Sequence, residues 1–163
     1  MTVIAVTGHM DLTESSVPLV REALAELLAE HTADGGLTGV SCIAEGADSV
    51  FADAVLALGG ELVAVVPSAD YRRNKVEPDH AEEFDRLSRA AVEVVVMPYA
   101  TADREAYEAA NAELVRRADR LFAVWDGRPG NGRGGTATTV ADARAAGVPV
   151  TVVWPDGAAR RSG

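Results

Sequence analysis

The sequence predicts an α/β protein in three layers, with a six-stranded, mainly parallel sheet that carries helices on both faces. Two observations predict this fold class. Six apolar runs alternate along the chain with segments whose apolar residues recur at helical spacing. Most of the runs are continuous, which is typical of parallel strands buried on both faces. At 163 residues, the chain has about the length of one domain.

The first half of the chain is predicted to form three strands and two helices. The strands are the apolar runs at residues 2–7, 37–44 and 62–66. Thr13 precedes the first helix, and a pair of glycines follows each helix. The two helical stripes consist of Val17, Val20, Leu24, Leu27 and Leu28, and of Val50, Phe51, Ala54, Val55 and Leu58.

A polar connection, residues 68–78, follows the third strand and shows no usable periodicity. It is long for a connection inside a compact domain, and such loops often serve as lids or binding loops. Its cluster of Arg72, Arg73 and Lys75 fits either a loop that closes over a phosphate or a solvated loop that offsets an acidic protein.

The second half is predicted to form three more strands and three helices. Asp79 and Glu82 have the spacing of a capping pair at the start of a helix. The strands are expected at residues 92–97, 121–125 and 148–154, and the later helices at residues 102–118 and about 137–143. We expect the fourth strand to lie beside the third, and residues 1–155 to form a single domain followed by a frayed tail, 156–163.

Composition excludes several functions. With 15 Lys and Arg against 25 Asp and Glu, the net charge of −10 argues against a nucleic-acid or anionic-membrane surface. No apolar run has the length of a membrane span and no signal core follows the first residues, which predicts a soluble cytoplasmic protein. Cys42 is the only cysteine and the three histidines lie far apart, so we expect no disulfide and no metal site.

A glycine-rich segment between the last two strands carries the strongest functional signal. Gly134, Gly135 and Thr136 precede the last helix, whose first backbone N–H groups have no partner within the helix. Such a helix start carries partial positive charge and binds anions. The segment therefore predicts phosphate or nucleotide binding, against the alternative of a flexible loop before a capped helix.

Three motifs together resemble the SLOG superfamily, which includes the Smf/DprA proteins and the LOG phosphoribohydrolases. They are Val-Thr-Gly-His after the first strand, Ala-Glu-Gly-Ala-Asp after the second, and Val-Trp-Asp-Gly with Gly-Gly-Thr after the fifth. The resemblance implies a Rossmann-like fold and a nucleotide or nucleotide-derived ligand. Open parallel sheets bind ligands where the strand order reverses, which here is between the first and fifth strands.

Ten residues are expected to bind this ligand. They are Thr7, Gly8, His9, Glu45, Gly46, Asp126, Gly127, Gly134, Gly135 and Thr136. His9 fits a loop role nearly as well, and Asp126 fits a plain Asp-Gly turn equally well. Asp48 is interpreted as a first-turn helix residue rather than a ligand contact. Asn111 is interpreted as a hydrogen-bonded core amide, with a ligand contact as the alternative.

One departure from the resemblance decides between binding and catalysis. LOG-type enzymes carry a glutamate three residues after the threonine of their glycine-rich motif, where this chain has Thr139. Threonine cannot replace a carboxylate in N-glycosidic chemistry. We therefore predict non-catalytic binding or sensing of a nucleotide, with no cofactor required. The alternatives are a LOG-like or deoxyribosyltransferase-like enzyme that acts on the N-glycosidic bond of a nucleotide through Glu45 or Asp126, and a scaffold without a small ligand. The resemblance also fits a homo-oligomer.

Overall fold

Six parallel strands form a single sheet in the computed structural model, which describes residues 1–32, 36–129 and 135–161. The strands are β1 (Thr2–Gly8), β2 (Leu37–Ser41), β3 (Glu61–Val66), β4 (Glu93–Val96), β5 (Arg120–Val124) and β6 (Val150–Val153). Their order across the sheet is β4-β3-β2-β1-β5-β6. The predicted fold class and the position of β4 beside β3 are confirmed, and the order reverses between β1 and β5.

Helices cover both faces of this sheet. They are α1 (Ser16–His31), α2 (Ala47–Ala57), α3 (Tyr71–Asn74), α4 (Pro78–Ala90), α5 (Arg104–Arg117) and α6 (Thr136–Ala145). Successive side chains of β1 point to opposite faces of the sheet. Ile4 and Val6 pack with α1 and α2 on one face, and Ala5 packs with α5 and α6 on the other. A third apolar cluster, which includes Phe84 and Leu87 of α4, covers β3 on the face of α2.

The connection after β3 is ordered, so the prediction of a structureless loop at residues 68–78 is wrong. It contains α3, whose single turn is too short to produce a periodic signal. Asp70 fixes the connection, since its carboxylate accepts hydrogen bonds from Ser68 Oγ at 2.6 Å and from Asn74 Nδ2 at 2.9 Å. The backbone N–H of Ala102 also donates to this carboxylate, at 3.2 Å. Asp70 therefore joins the connection to the segment before α5.

The C-terminal segment is also ordered as far as Arg161, so the expectation of a frayed tail is wrong there. The backbone N–H of Thr13 donates to the carbonyl of Ala159 at 3.0 Å, and the N–H of Arg161 donates to the carbonyl of Asp11 at 2.7 Å. Arg160 Nε donates to Asp11 Oδ1 at 2.8 Å. The segment thus covers the loop between β1 and α1. No helix in the described ranges is long and apolar enough to cross a membrane.

Candidate functional site

A cleft of about 1240 Å³ opens at the carboxyl ends of the strands, across the point where the strand order reverses. β1 contributes Thr7 and Gly8, and the residues that directly follow β2 and β5 contribute Cys42 and Trp125. The start of α6 forms another part of the wall. The cleft therefore lies at the position that the sequence predicts for a ligand.

Gly8 sets the geometry where β1 leaves the sheet. A Cβ atom at this position would lie 2.5 Å from the Cβ of Ala47 and 2.8 Å from the Cβ of Val124. The glycine therefore lets the end of β1 pack closely between α2 and β5. This contact fixes the position of His9, whose backbone N–H donates to the carbonyl of Val124 at 3.1 Å.

His9 is a buried, neutral part of the cleft wall. Its Nε2 atom accepts a hydrogen bond from the backbone N–H of Asp126 at 3.2 Å, so the ring proton is on Nδ1. The 3.4 Å approach of Nε2 to Asp126 Oδ1 is consequently not an ion pair. Burial and the nearby Arg160 guanidinium lower the pKa of His9, although Asp126 opposes them. The edge of the ring packs against Trp154, with centroids 5.6 Å apart.

Asp126 both forms a turn and faces the cleft. Its Oδ1 atom accepts the backbone N–H of Arg128 at 3.0 Å. Burial acts to raise the pKa of Asp126, but this hydrogen bond and the nearby Arg160 guanidinium act against burial, and the pKa lies below its ordinary value. Gly127 does not line the cleft, and its φ of +82° shows that it serves the turn, where glycine adopts a positive φ without strain.

The start of α6 faces the cleft through Gly135, Thr136 and Ala137. Gly135 is the N-cap residue, and no side chain of the described residues caps the helix. Gly134 lies outside the described residues. Thr139 points away from the cleft into the protein, where it is 1% exposed and its hydroxyl donates to the carbonyl of Gly135 at 3.3 Å.

The loop after β2 differs from the sequence prediction. Glu45 and Gly46 do not line the cleft, whereas Asp48 does. A Cβ atom on Gly46 would lie 2.7 Å from the carbonyl oxygen of His9 and 2.8 Å from the Cα of Met10, so this glycine shapes the loop after β1 by close packing. The structure thus reverses the expected preference for Glu45 over Asp48, while any ligand role of Glu45 and Gly46 stays a prediction.

Asn111 also differs from its prediction as a hydrogen-bonded core amide. It is half-buried and lines the cleft, and its side chain makes no hydrogen bond to any described residue. The helical stripe locates Asn111 on the inner face of α5 correctly. It cannot reveal that the inner face meets a cleft at this level rather than the sheet.

The charged side chains around the cleft are mixed in sign. Of the basic cluster after β3, Lys75 lines the cleft, whereas Arg72 is bound to Asp85 through two hydrogen bonds of 2.7 and 2.9 Å. Arg128 and Arg160 add two further cations. In the described part of the chain, no group of three or more His, Cys, Asp or Glu side chains could hold a metal ion.

Comparisons with known proteins identify relatives by fold. No family model and no curated protein matches the chain. DprA from Streptococcus pneumoniae superposes with a TM-score of 0.69 at 18% identity, over 93% of this chain and 50% of that one. DprA from Helicobacter pylori gives 0.67 at 16% identity, over 93% and 64%. The molybdenum cofactor carrier protein of Chlamydomonas reinhardtii gives 0.58 at 22% identity, over 93% and 75%.

These structures confirm the Rossmann-like fold that the SLOG resemblance implies. The chain spans about half the length of the Streptococcus protein. At 16 to 22% identity, the likeness carries no residue roles from one protein to another. The function has to be argued from the cleft.

Proposed function

We propose that this protein binds a nucleotide or a nucleotide-derived molecule in the cleft, with a phosphate group at the start of α6. One observation carries the proposal. The first turn of α6 opens into the cleft at the point where the strand order reverses, and no side chain of the described residues caps it. Its free N–H groups and the helix dipole favour an anion at this position.

Two hydroxyl groups beside the helix start support the same ligand. Thr7 and Thr136 line the cleft, and neither side chain makes a hydrogen bond to another described residue. Hydroxyls donate readily to phosphate oxygens, so the two threonines extend the donor set of the helix. Local donors of this kind are needed because the protein carries a net charge of −10.

The neighbouring His9 and Asp126 suit the sugar better than the phosphate. His9 is neutral, and Asp126 is a carboxylate with a lowered pKa that would repel a second anion. A carboxylate at such a position accepts hydrogen bonds from ribose hydroxyls. We therefore expect the sugar of the ligand to lie against Asp126.

Binding without N-glycosidic cleavage fits the carboxylates that the cleft offers. No glutamate of the described residues lines the cleft, and Glu45 lies outside it. Thr139, at the position of the LOG-type glutamate, is buried. Of the two predicted catalytic candidates, Glu45 and Asp126, only Asp126 lines the cleft. Its carboxylate is already held by the Arg128 N–H, which favours a fixed acceptor over a nucleophile.

A thermal shift assay tests the proposal. The panel contains nucleoside monophosphates, dinucleotides, cyclic nucleotides, inorganic phosphate and a single-stranded oligonucleotide, the last because the Helicobacter relative binds single-stranded DNA. A ligand at a hundred times its Kd is expected to raise the melting temperature by about 5–10 °C. An unchanged melting temperature with every compound contradicts the proposal.

A further inference from the structure

The cleft extends beyond the phosphate end to the side of β2 and β3, where it contains polar side chains that the proposed function leaves unused. We call this part the β2–β3 pocket and define it by Asp48, Tyr71, Tyr107 and Asn111. Asp48 lies in the first turn of α2 and Tyr71 begins α3. Tyr107 and Asn111 lie one turn apart on α5. Pro67, Ala110 and Leu114 add apolar surface to this side.

Three polar groups in the β2–β3 pocket have no partner in the described part of the protein. They are the amide of Asn111 and the hydroxyls of Tyr71 and Tyr107. Every fully enclosed side-chain N or O atom in the buried and half-buried described residues has a partner, so the Asn111 amide and the Tyr71 hydroxyl are not sealed inside the protein, and Tyr107 is itself exposed. All three residues line the cleft. A polar group that is partly shielded from water is less stable without a hydrogen-bond partner than with one, and a ligand with matching groups supplies the partner.

Asp48 adds an acceptor for an N–H group. It is recessed in the cleft wall, and the backbone N–H of Ala44 donates to its carboxyl group. Burial outweighs this hydrogen bond and raises the pKa of Asp48 to about 7. A carboxyl group in this environment gains most from a ligand that donates a hydrogen bond to it.

The aromatic residues of the pocket favour a flat ligand. Tyr71 is 7% exposed, whereas Tyr107 is 37% exposed. Their ring centroids are 6.3 Å apart and the ring planes meet at 77°, so the two rings do not stack face to face. Aromatic surface of Tyr107 therefore remains available to a planar group.

We propose that the β2–β3 pocket binds a planar nitrogen heterocycle, the base of the ligand, through hydrogen bonds to Asp48 and Asn111 and contact with the Tyr107 ring. The inference rests on the proposed function and adds the orientation in which the ligand lies in the cleft. The phosphate lies at α6, the sugar at Asp126, and the base on the side of β2 and β3. The base carries an N–H donor for Asp48 and complements the amide of Asn111, which offers both a donor and an acceptor.

Isothermal titration calorimetry with and without the base tests this inference. The ligands are AMP, GMP, CMP, UMP and ribose 5-phosphate, and the proteins are the wild type, Asn111→Leu and the control Glu108→Gln. Glu108 is an exposed residue of the same helix that pairs with Arg104. The wild type should bind its best nucleotide at least about tenfold more tightly than ribose 5-phosphate. Asn111→Leu should remove about tenfold from nucleotide affinity and leave ribose 5-phosphate binding unchanged.

The outcomes separate this inference from the proposed function. If ribose 5-phosphate binds as tightly as every nucleotide, the proposed phosphate site at α6 is supported and the proposed base pocket is wrong. Equal weakening of both ligand types by Asn111→Leu, or no weakening of either, also overturns the pocket. If the wild type binds none of the five compounds, the base pocket is wrong, and the proposed function falls with it only if no compound of the thermal shift panel binds either. Asn111→Asp, which keeps the side-chain volume, replaces Asn111→Leu if the leucine variant does not fold.

Discussion

The Nε2 atom of His9 accepts the backbone N–H of Asp126 at 3.2 Å, which joins the ends of β1 and β5 across the point where the strand order reverses. This hydrogen bond fixes the neutral form of the ring beside Asp126, which lines the cleft. A protonated His9 could not accept it. The wall of the cleft therefore depends on His9 remaining uncharged.

We expect His9 to titrate below its ordinary pKa of 6.5, with burial as the largest cause. Since the folded state then binds fewer protons than the unfolded state, its stability should fall as the pH drops through about 6.5. Arg160→Gln should raise the pKa of His9 and Asp126→Asn should lower it further, because these two neighbours act in opposite directions. NMR titration of the His9 ring measures all three values, and a wild-type midpoint above 6.5 contradicts the neutral ring.

Gly46→Ala should destabilise the protein more than Gly127→Ala. Both glycines have positive φ, +85° and +82°, so the strained backbone costs an alanine about 1–3 kcal/mol at either position. At Gly46 the new Cβ would also lie 2.7 Å from the carbonyl oxygen of His9, whereas at Gly127 it would have no neighbour within 4 Å. Urea denaturation of the two variants should show an additional loss at Gly46 on the order of 1–3 kcal/mol. Equal losses would show that the close packing of Gly46 is unimportant.

Thr136→Glu should separate helix stability from ligand binding. A glutamate in the first turn of α6 stabilises the helix by about 0.3–1 kcal/mol through the dipole, but it places a negative charge in the cleft. The matched control is Thr138→Glu, which lies in the same turn and does not line the cleft. Calorimetry with nucleoside monophosphates should show that binding is lost in Thr136→Glu and kept in Thr138→Glu. Undiminished binding by Thr136→Glu would place the phosphate elsewhere.

Asp48→Asn should change how stability depends on pH. In the folded state Asp48 keeps its proton up to a pH of about 7, whereas its ordinary pKa is 3.8. Between these two values only the unfolded state releases the proton, so the stability of the folded state falls as the pH rises. The Cys42 thiol and the Tyr71 hydroxyl stay uncharged in this range, because burial raises the pKa of each.

Urea denaturation of the wild type and Asp48→Asn from pH 4 to pH 8 measures this effect. The two proteins should differ least at pH 4, and the variant should gain on the order of 2–4 kcal/mol relative to the wild type by pH 8. Glu45→Gln is the control, since Glu45 lies outside the cleft. Parallel curves for the wild type and Asp48→Asn would contradict a raised pKa of Asp48.

Apolar periodicity predicts the strands, five of the six helices and the location of the cleft, because buried runs and helical stripes report directly on the layers of the fold. It does not predict α3, where the contacts of the buried Asp70 rather than periodicity order the chain. Nor does it distinguish Glu45 from Asp48, three residues apart in one loop and helix start. The choice between them depends on packing between Gly46 and the loop after β1, a contact between distant parts of the sequence.

The central claim is that a phosphate lies at the start of α6, and the backbone amide NMR signals of Thr136 and Ala137 test it most directly. The wild-type protein is titrated with a pool of adenosine, guanosine, cytidine and uridine monophosphates, and then with the corresponding nucleosides. We predict that the nucleotides shift the two amide signals in a saturable manner and that the nucleosides shift them far less, because the phosphate makes the contact. Unchanged signals at both amides under saturating nucleotide would contradict the account.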